Sequence, residues 1–175
     1  MLGTGLALMK LVDEGKLNIH AKLGDYLEFP KGHPHASLSL KHMFAHTAGL
    51  PGWKDFVPLT TLTNGEWNNE CLSKTHSDLC CNPVAQDLFT TKEITEKIYA
   101  EILNAEINPS QGYKYSDLGY YYYKKIIEKL TGATLDSFLQ KEFYVPMQLS
   151  TIGYLPTQRI PLSHIAETEN DTKWR

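Results

Sequence analysis

Apolar residues recur at helical spacing along much of this chain, and the pattern predicts a mainly α-helical protein. The first such stretch predicts a helix over residues 2–14. Its apolar face is formed by Leu2, Leu6, Met9 and Val12 and is widened by Leu8 and Leu11. Four further helices are predicted: Ser39 through Ala45, a Thr90–Glu93 capping box through about Asn104, Tyr115 to Gly132, and a short one after Thr134. We therefore expect four or five helices and few strands.

The stretch from Trp53 to Phe89 shows no sustained period. It is rich in Asn, Thr, Pro, Gly and Cys, with single aromatic residues between them. A long stretch of this kind inside a compact domain is typical of a functional lid or a poorly ordered loop. We expect residues 53–89 to form an irregular insertion or lid within a single domain spanning 1–175. Near the other end, Thr151 to Leu155 is expected to be extended.

Composition narrows the possible functions only slightly. The 175 residues carry a formal net charge of -3, and the basic residues are scattered along the chain. Nucleic-acid binding therefore has no electrostatic support. No apolar run approaches the roughly 18 residues that a membrane-spanning helix requires. The apolar and charged fractions are those of a soluble globular protein.

Three cysteines, Cys71, Cys80 and Cys81, lie within the irregular stretch. An odd number with two adjacent is a poor disulfide framework. They fit free loop cysteines best, although a bridge from Cys71 to Cys80 or Cys81 would suit an oxidising compartment. Zinc is the weaker alternative, because there is no Cys-x-x-Cys pair and His76 is the one histidine nearby.

Histidines offer a second metal hypothesis. His42 and His46 are four residues apart and can share a helix face, and His33 and His35 lie shortly before them around Pro34. The chain has no His-Glu-x-x-His motif, so this pattern alone gives little support to a metal site. We therefore expect no metal and no cofactor.

The triplet Tyr115-Ser116-Asp117 is the strongest candidate for chemistry. It follows a turn and begins a predicted helix, so its side chains can project from a rigid scaffold into a cleft. A helix N-terminus also favours negative charge nearby. The structural alternative is that Ser116 or Asp117 caps the helix and Tyr115 only packs. Ser116 is a poor nucleophile candidate, because no lysine follows it at Ser-x-x-Lys spacing.

Several motifs in one order resemble the penicillin-recognising serine hydrolases, which include class C β-lactamases, DD-peptidases and related esterases. They are Asp-Glu-Gly-Lys-Leu at 13–17, Leu-Lys-His-Met-Phe-Ala-His-Thr-Ala-Gly-Leu-Pro at 40–51, Tyr-Lys-Tyr-Ser-Asp-Leu-Gly-Tyr at 113–120 and Tyr-Val-Pro-Met at 144–147. The resemblance covers most of the chain and is weakest in the irregular stretch. It implies an acyl-enzyme mechanism in a hydrolase related to β-lactamases and penicillin-binding proteins.

The resemblance also implies site residues. Tyr115 matches the tyrosine of the family's Tyr-x-Asn motif, which helps to activate the serine nucleophile and passes its proton to the leaving group. Asp117 stands where the family usually has Asn, and a carboxylate can accept but not donate hydrogen bonds. This departure favours an esterase or peptidase over a β-lactamase. His46 and Gly49 match a stretch that supports the wall of the cleft.

Two hallmarks of the family are missing from the 175 residues. There is no Ser-x-x-Lys, which the resemblance would place before Met1, and no Lys-Thr-Gly or His-x-Gly strand, which it would place after Arg175. We therefore expect the helical lobe of the α+β β-lactamase/DD-peptidase-like fold, with most of its antiparallel sheet missing. Such a chain would expose an apolar face, would have the missing sheet as its partner, and would be inactive alone.

The function predicted from the sequence is thus a fragment of an acyl-transferring serine hydrolase. Its substrate would be a peptidoglycan-type peptide, a β-lactam or a small ester, and the parent protein would be periplasmic or secreted. Thr168 to Asp171 resembles a stretch in one secreted branch of the family. The alternative is a non-catalytic module that binds glycans or peptides with the same fold.

Overall fold

The computed structural model describes residues 1–85 and 87–166. Within them, the regular structure comprises five α-helices, six short 3₁₀- or π-helical turns and one small sheet, which confirms the mainly α prediction. The helices are α1 (Leu2–Asp13), α2 (Leu40–Phe44), α3 (Lys92–Leu103), α4 (Leu118–Thr131) and α5 (Leu135–Leu139). The Thr168–Asp171 stretch lies outside the described residues.

The main core forms where α1, α4 and α5 pack together. On α1 the buried positions recur every three or four residues, as an amphipathic helix requires. The same spacing buries Leu118, Tyr122 and Ile126 on α4, as the sequence predicts. Gly132 ends α4 in a left-handed conformation, with φ +68°, that glycine adopts without steric cost.

One side of α1 has no partner among the described residues that covers it. Leu2 and Met9 are 81% and 59% exposed, although both are large apolar side chains. Met147 and Val145, which follow α5, are exposed as well. Leu2 and Met9, which the sequence predicts on the apolar face of the first helix, therefore lie outside the core, and the buried positions of α1 are Thr4, Ala7, Leu8 and Leu11. Whether the exposed side chains form one continuous apolar face stays a prediction.

A three-stranded antiparallel sheet occupies part of the stretch that was predicted to be irregular. Its strands β1 (Leu72–Ser73), β2 (Cys80–Ala85) and β3 (Leu88–Thr91) are arranged in the order β1-β3-β2. Two register shifts interrupt the pairing of β2 with β3, and Pro83 lies between them. Short, bulged strands do not produce a clean alternation of apolar and polar residues, so the sequence gave no strand signal. Whether the region acts as a lid stays a prediction.

Two helix starts differ from the sequence prediction. Thr90 is paired within β3, so the cap of α3 is Thr91, one residue later than expected. The pKa of the Glu93 side chain is lowered by hydrogen bonds from the Glu93 backbone amide and from the Thr91 side chain. At α5, Thr134 makes no capping bond, and the Leu135 N–H instead donates to the Glu128 carboxylate at 3.0 Å.

The segment after α5 also differs from expectation. Residues 140–144 form a single π-helical turn that directly continues α5. Thr151 to Leu155, which we expected to be extended, consists of bends, and Leu155 adopts a positive φ of 44°. The prediction of an extended segment here is therefore wrong.

Candidate functional site

Two segments far apart in the sequence are joined side by side beneath the N-terminus of α4. We call residues 46–52 and 108–117 together the tyrosine clamp. Its backbone bonds run from the N–H groups of Asn108, Lys114 and Asp117 to the carbonyls of Gly49, His46 and Gly52, at 2.8–2.9 Å. Because these bonds lie at both ends of the segment, the loop carrying Tyr115 is held along its length.

Gly49 lies against the Asn108 backbone of the second clamp segment. Its φ is +79°, a conformation that residues with a Cβ rarely adopt. A Cβ at this position would also collide with the carbonyl group of Asn108. The clamp therefore requires glycine here for two independent reasons.

Tyr115 projects from the clamp toward the first residue of the chain. Its side chain is 54% exposed, and its hydroxyl lies 3.1 Å from the sulfur of Met1, directly before α1. The ring lies against the His46 imidazole, with centroids 4.7 Å apart and planes inclined by 33°. The phenolic oxygen is thus presented at the N-terminal end of α1, where the helix dipole favours negative charge.

Ser116, the next residue, has a structural position. It is 5% exposed, and its hydroxyl donates to the Pro51 carbonyl at 2.5 Å while accepting the Leu118 N–H at 3.3 Å. The structural alternative from the sequence therefore applies to Ser116, which caps the start of α4. Its hydroxyl is fully engaged inside the clamp, so it is not presented to a substrate.

Asp117 is half-buried and is the residue that directly precedes α4. Its side chain makes no capping hydrogen bond, while its backbone N–H donates to Gly52. Burial raises the pKa of Tyr121, one helical turn further on, and the Asp117 charge adds to that increase. The carboxylate of Asp117 is therefore close enough to α4 to influence its first turn.

A groove of about 790 Å³ opens beside Met1. It runs between α1, α4, α5 and the β2 residues Asn82 and Pro83, so the insertion contributes one wall. Aromatic and charged side chains line it, including Tyr120, Tyr121, Tyr154, Lys124, Glu128 and Asp136. A mixed lining of this kind suits a ligand or chain segment with both apolar and hydrogen-bonding groups.

The histidines are not gathered into a metal site. His35 is fully buried, with Nδ1 2.7 Å from the Tyr122 hydroxyl and Nε2 2.7 Å from the Ala105 carbonyl. His46 instead belongs to the clamp, where its Nδ1 accepts the Ser116 N–H. Across residues 1–85 and 87–166, no three His, Cys, Asp or Glu side chains are grouped so that they could hold a metal ion.

The cysteines Cys71, Cys80 and Cys81 are free thiols. Cys71 and Cys80 lie on opposite sides of β3, since Thr91 donates to the Cys71 carbonyl and pairs with Cys80. Two inter-strand spacings place the two Cα atoms about 10 Å apart. A disulfide needs a Cα separation below about 7 Å, so this sheet disfavours a bridge between these two residues. Burial also raises the pKa of the Cys71 thiol.

The structure brings together the four residues that the sequence proposed for the site, and their roles stay predictions. Tyr115, Asp117, His46 and Gly49 all belong to the clamp. The carbonyls of Pro51 and Gly52, which accept bonds from Ser116 and Asp117, had no sequence signal because every residue has a backbone carbonyl. The contact between Tyr115 and Met1 was also missed, since the two residues lie 114 positions apart.

Comparison with known proteins shows sequence similarity along most of the chain. A Beta-lactamase family model matches residues 3–174. The chain is 30% identical over 166 residues to the N-acetylmuramyl-L-alanine amidase of Bacillus subtilis (strain 168), covering 91% of this chain and 32% of that protein. It is 26% identical over 175 residues to penicillin-binding protein 4 of Amycolatopsis lactamdurans, covering 96% and 39%.

A solved structure shares this fold. The crystal structure of a penicillin binding protein from Bacillus halodurans aligns with a TM-score of 0.59 at 19% identity, covering 92% of this chain and 43% of that one. The chain spans about a third of the length of the two curated relatives. Among the described residues, no helix has the length and apolar character to cross a membrane. With a family model matched along nearly its whole length, this chain belongs to the Beta-lactamase family.

Proposed function

We propose that this chain is the helical lobe of a serine hydrolase that works by acyl transfer, with Tyr115 as its proton-transfer residue. Family membership supports hydrolase chemistry in general. The finer assignment depends on one observation: the exposed Tyr115 hydroxyl faces the N-terminal end of α1, 3.1 Å from Met1. The family resemblance expects a Ser-x-x-Lys motif at that same end.

The proposed reaction has two steps. In the first, a serine oxygen bonds to the substrate carbonyl carbon, while its proton passes through Tyr115 to the leaving group as the bond to that group breaks. In the second, a water oxygen bonds to the same carbon, the acyl–serine bond breaks, and one proton of that water passes to the serine oxygen. The positive end of the α1 dipole would favour the negative charge that develops nearby.

Asp117 has a narrower role in this proposal. Its carboxylate accepts hydrogen bonds only, so it can pair with a lysine ammonium but cannot donate to a substrate carbonyl. A family asparagine could do both. We therefore propose that substrate recognition here relies less on this position than in β-lactamases, and that β-lactam turnover is weak.

The names of the relatives indicate the substrate class. One is an amidase named for N-acetylmuramyl-L-alanine, and another is a penicillin-binding protein. We propose an amide or ester in a peptidoglycan-type molecule as the substrate, and a periplasmic or secreted location for the protein. We further propose that the 175-residue chain is inactive alone, since it contains no Ser-x-x-Lys.

The first test uses the reading frame together with its in-frame flanking DNA. We expect that DNA to encode Ser-x-x-Lys before Met1 and Lys-Thr-Gly or His-x-Gly after Arg175, and the longer product to form an acyl-enzyme visible by mass spectrometry. The 175-residue chain should form none with a fluorescent penicillin or an activated ester. Turnover by the short chain would overturn the proposed inactivity.

The second test isolates Tyr115 in the longer product. Tyr115→Phe removes the proton-transferring oxygen, and we expect kcat to fall by about 10²–10⁴-fold with little change in KM. Tyr113→Phe is the matched control, because this tyrosine is more exposed, touches the same His46 ring, and should change kcat by about twofold or less. Equal activity of the two variants would remove Tyr115 from the mechanism.

The missing Ser-x-x-Lys favours one alternative, a non-catalytic module that binds glycans or peptides. The same experiments separate the two functions. Flanking DNA without either hallmark, together with saturable binding of a muropeptide by the 175-residue chain, would support the binding module. Acylation of the longer product would exclude it.

A further inference from the structure

His46 accepts hydrogen bonds from the backbone N–H groups of the two residues that flank Tyr115. Its backbone carbonyl accepts the Lys114 N–H at 2.9 Å, and its imidazole Nδ1 accepts the Ser116 N–H at 3.1 Å. Lys114 and Ser116 directly precede and follow Tyr115 in the chain. One residue, 69 positions away in the sequence of 175, therefore fixes the backbone that presents the phenol.

The backbone of His46 makes this double contact possible. Its φ is +57°, in the left-handed region that residues other than glycine seldom adopt. This conformation follows the end of α2, where the His46 N–H donates to Met43. Strained conformations persist where the surrounding contacts require them. Here those contacts are the hydrogen bonds that His46 accepts from Lys114 and Ser116, the neighbours of Tyr115.

The bond to Ser116 also specifies a protonation state. A backbone N–H can only donate, so Nδ1 must be the unprotonated nitrogen and the neutral ring must carry its proton on Nε2. A ring protonated at Nδ1 would direct one donor against another. The imidazole therefore works as a hydrogen-bond acceptor with a fixed tautomer.

The ring contacts add a second interaction. The imidazole lies 4.7 Å from the Tyr115 ring at a tilt of 33°, and it stacks with Tyr120 at 5.9 Å and 26°. The edge of Tyr113 meets it at 6.0 Å. His46 is therefore in contact with the Tyr115 side chain as well as with its flanking backbone.

We infer that His46 is a positioning residue for Tyr115, which it presents through a neutral Nε2–H tautomer whose Nδ1 accepts the Ser116 amide. The catalytic part of this inference rests on the proposed function, because it requires Tyr115 to be the proton-transfer residue. The geometric part does not: the tautomer and the Ser116 bond can be measured in the 175-residue chain without any activity.

The first measurement is ¹⁵N NMR of the imidazole in the labelled 175-residue chain near neutral pH. We expect the Nδ1 shift of an unprotonated nitrogen, the Nε2 shift of a protonated one, and slow hydrogen exchange at the Ser116 amide. A proton on Nδ1, or a Ser116 amide that exchanges as fast as an unprotected one, would overturn the inference without any mutation.

Two variants separate the acceptor from the ring. In His46→Asn, the side-chain oxygen can occupy the place of Nδ1, and asparagine tolerates a positive φ. In His46→Phe, the ring remains and the acceptor is lost. We expect His46→Asn to keep Ser116 protected and His46→Phe to speed its exchange by roughly tenfold, the effect of losing one hydrogen bond. Equal exchange in the two variants would contradict the positioning role of Nδ1.

Kinetics of the longer, active product then test the catalytic meaning. We expect His46→Phe to lower kcat by roughly tenfold or more without raising KM, and His46→Asn to restore most of it. If the NMR results hold but neither variant changes kcat, and Tyr115→Phe is also fully active, the proposed function fails and the geometry stands. If Tyr115→Phe is inactive but His46→Phe is not, the positioning role fails and the proposed function stands.

Discussion

The helical lobe and the insertion sheet are stabilised very differently. The helical lobe, formed by α1, α2, α4, α5 and the C-terminal half of α3, contains nineteen buried apolar residues in one cluster among the described residues. The insertion sheet, β1–β3, rests on a second cluster of three: Cys71, Leu72 and Ile94. α3 joins the two, with Ile94 in the small cluster and Ile102 in the large one. We therefore expect the lobe to keep the site rigid, and the sheet to open locally more easily than the lobe.

Truncating the same residue at the two ends of α3 should show this difference most clearly. Ile102 is completely buried in the large cluster, so we expect Ile102→Ala to lower the free energy of unfolding by about 4 kcal/mol. Ile94 lies in the small cluster, where neighbours can relax into the space, and Ile94→Ala should cost about 2 kcal/mol. Chemical denaturation of both variants measures these values.

Hydrogen exchange would locate the damage. We expect Ile94→Ala to raise exchange mainly in β1–β3 and to leave α4 protected, because local opening follows the weaker cluster. Equal costs for the two variants, with exchange rising throughout the chain, would mean that lobe and sheet form one cooperative unit.

A glycine substitution tests the rigidity of the clamp. Gly49→Ala combines an unfavourable backbone conformation with a collision against Asn108, and we expect it to cost about 3 kcal/mol. Gly15→Ala is the control: its φ of +69° is similar, but nothing lies within 4 Å, so it should cost only about 1 kcal/mol. If Gly49→Ala lowers the free energy of unfolding by no more than Gly15→Ala does, the backbone of the clamp can shift to accommodate a side chain.

The helical lobe should also lose stability in mild acid. Burial lowers the pKa of His35 below its ordinary value of 6.5. Above about pH 6.5 the histidine is neutral in both states and its contribution to stability is fully present. As pH falls below that value the unfolded chain binds a proton first, and stability decreases until the folded pKa is passed.

The variant His35→Leu isolates the contribution of His35 to the pH dependence of stability. Leu fills the buried space but leaves the Tyr122 hydroxyl and the Ala105 carbonyl without their partner, which should cost about 2 kcal/mol at pH 7. We also expect the variant to lose part of the decline in unfolding free energy between pH 7 and pH 5. An unchanged decline would assign the acid sensitivity to other groups.

The smallest expected effect concerns the start of the insertion. Lys54 pairs with the Glu101 carboxylate at 2.5 Å and donates to its carbonyl at 3.1 Å, which ties residue 54 to α3. Lys54→Gln removes this partly exposed ion pair and should cost about 0.5 kcal/mol globally. Limited proteolysis should nevertheless cut residues 53–71 faster than in the wild type. Unchanged cutting would mean that other contacts hold the segment.

The two regions also differ in how well the sequence predicts them. Helices α1, α2 and α4 were predicted to within two residues or so at most ends, because their apolar spacing and their Ser39 and Gly132 signals agree. The insertion sheet was missed, since two of its three strands have four residues or fewer and the third is bulged. At α5, the cap comes from Glu128 on another helix, a partner that local sequence cannot reveal.

The site was predicted through motifs and not through periodicity. From local sequence alone, Tyr115 could equally be a packing residue. Only the family resemblance predicts a proton-transfer role for it. Its neighbours could not be predicted, because the clamp depends on backbone carbonyls and on a histidine with positive φ. Neither feature is visible without three-dimensional structure.

The clamp has a consequence for how this family can diversify. The bond between His46 and Ser116 closes a loop of 70 residues, and the insertion lies inside that loop. The entropy of closing a flexible loop grows only logarithmically with length, so doubling such a loop costs about 0.6 kcal/mol. Evolution can thus lengthen, shorten or replace the insertion, including the β2 residues beside the groove, at little expense to the backbone that holds Tyr115. The groove wall and the clamp around Tyr115 can therefore change independently.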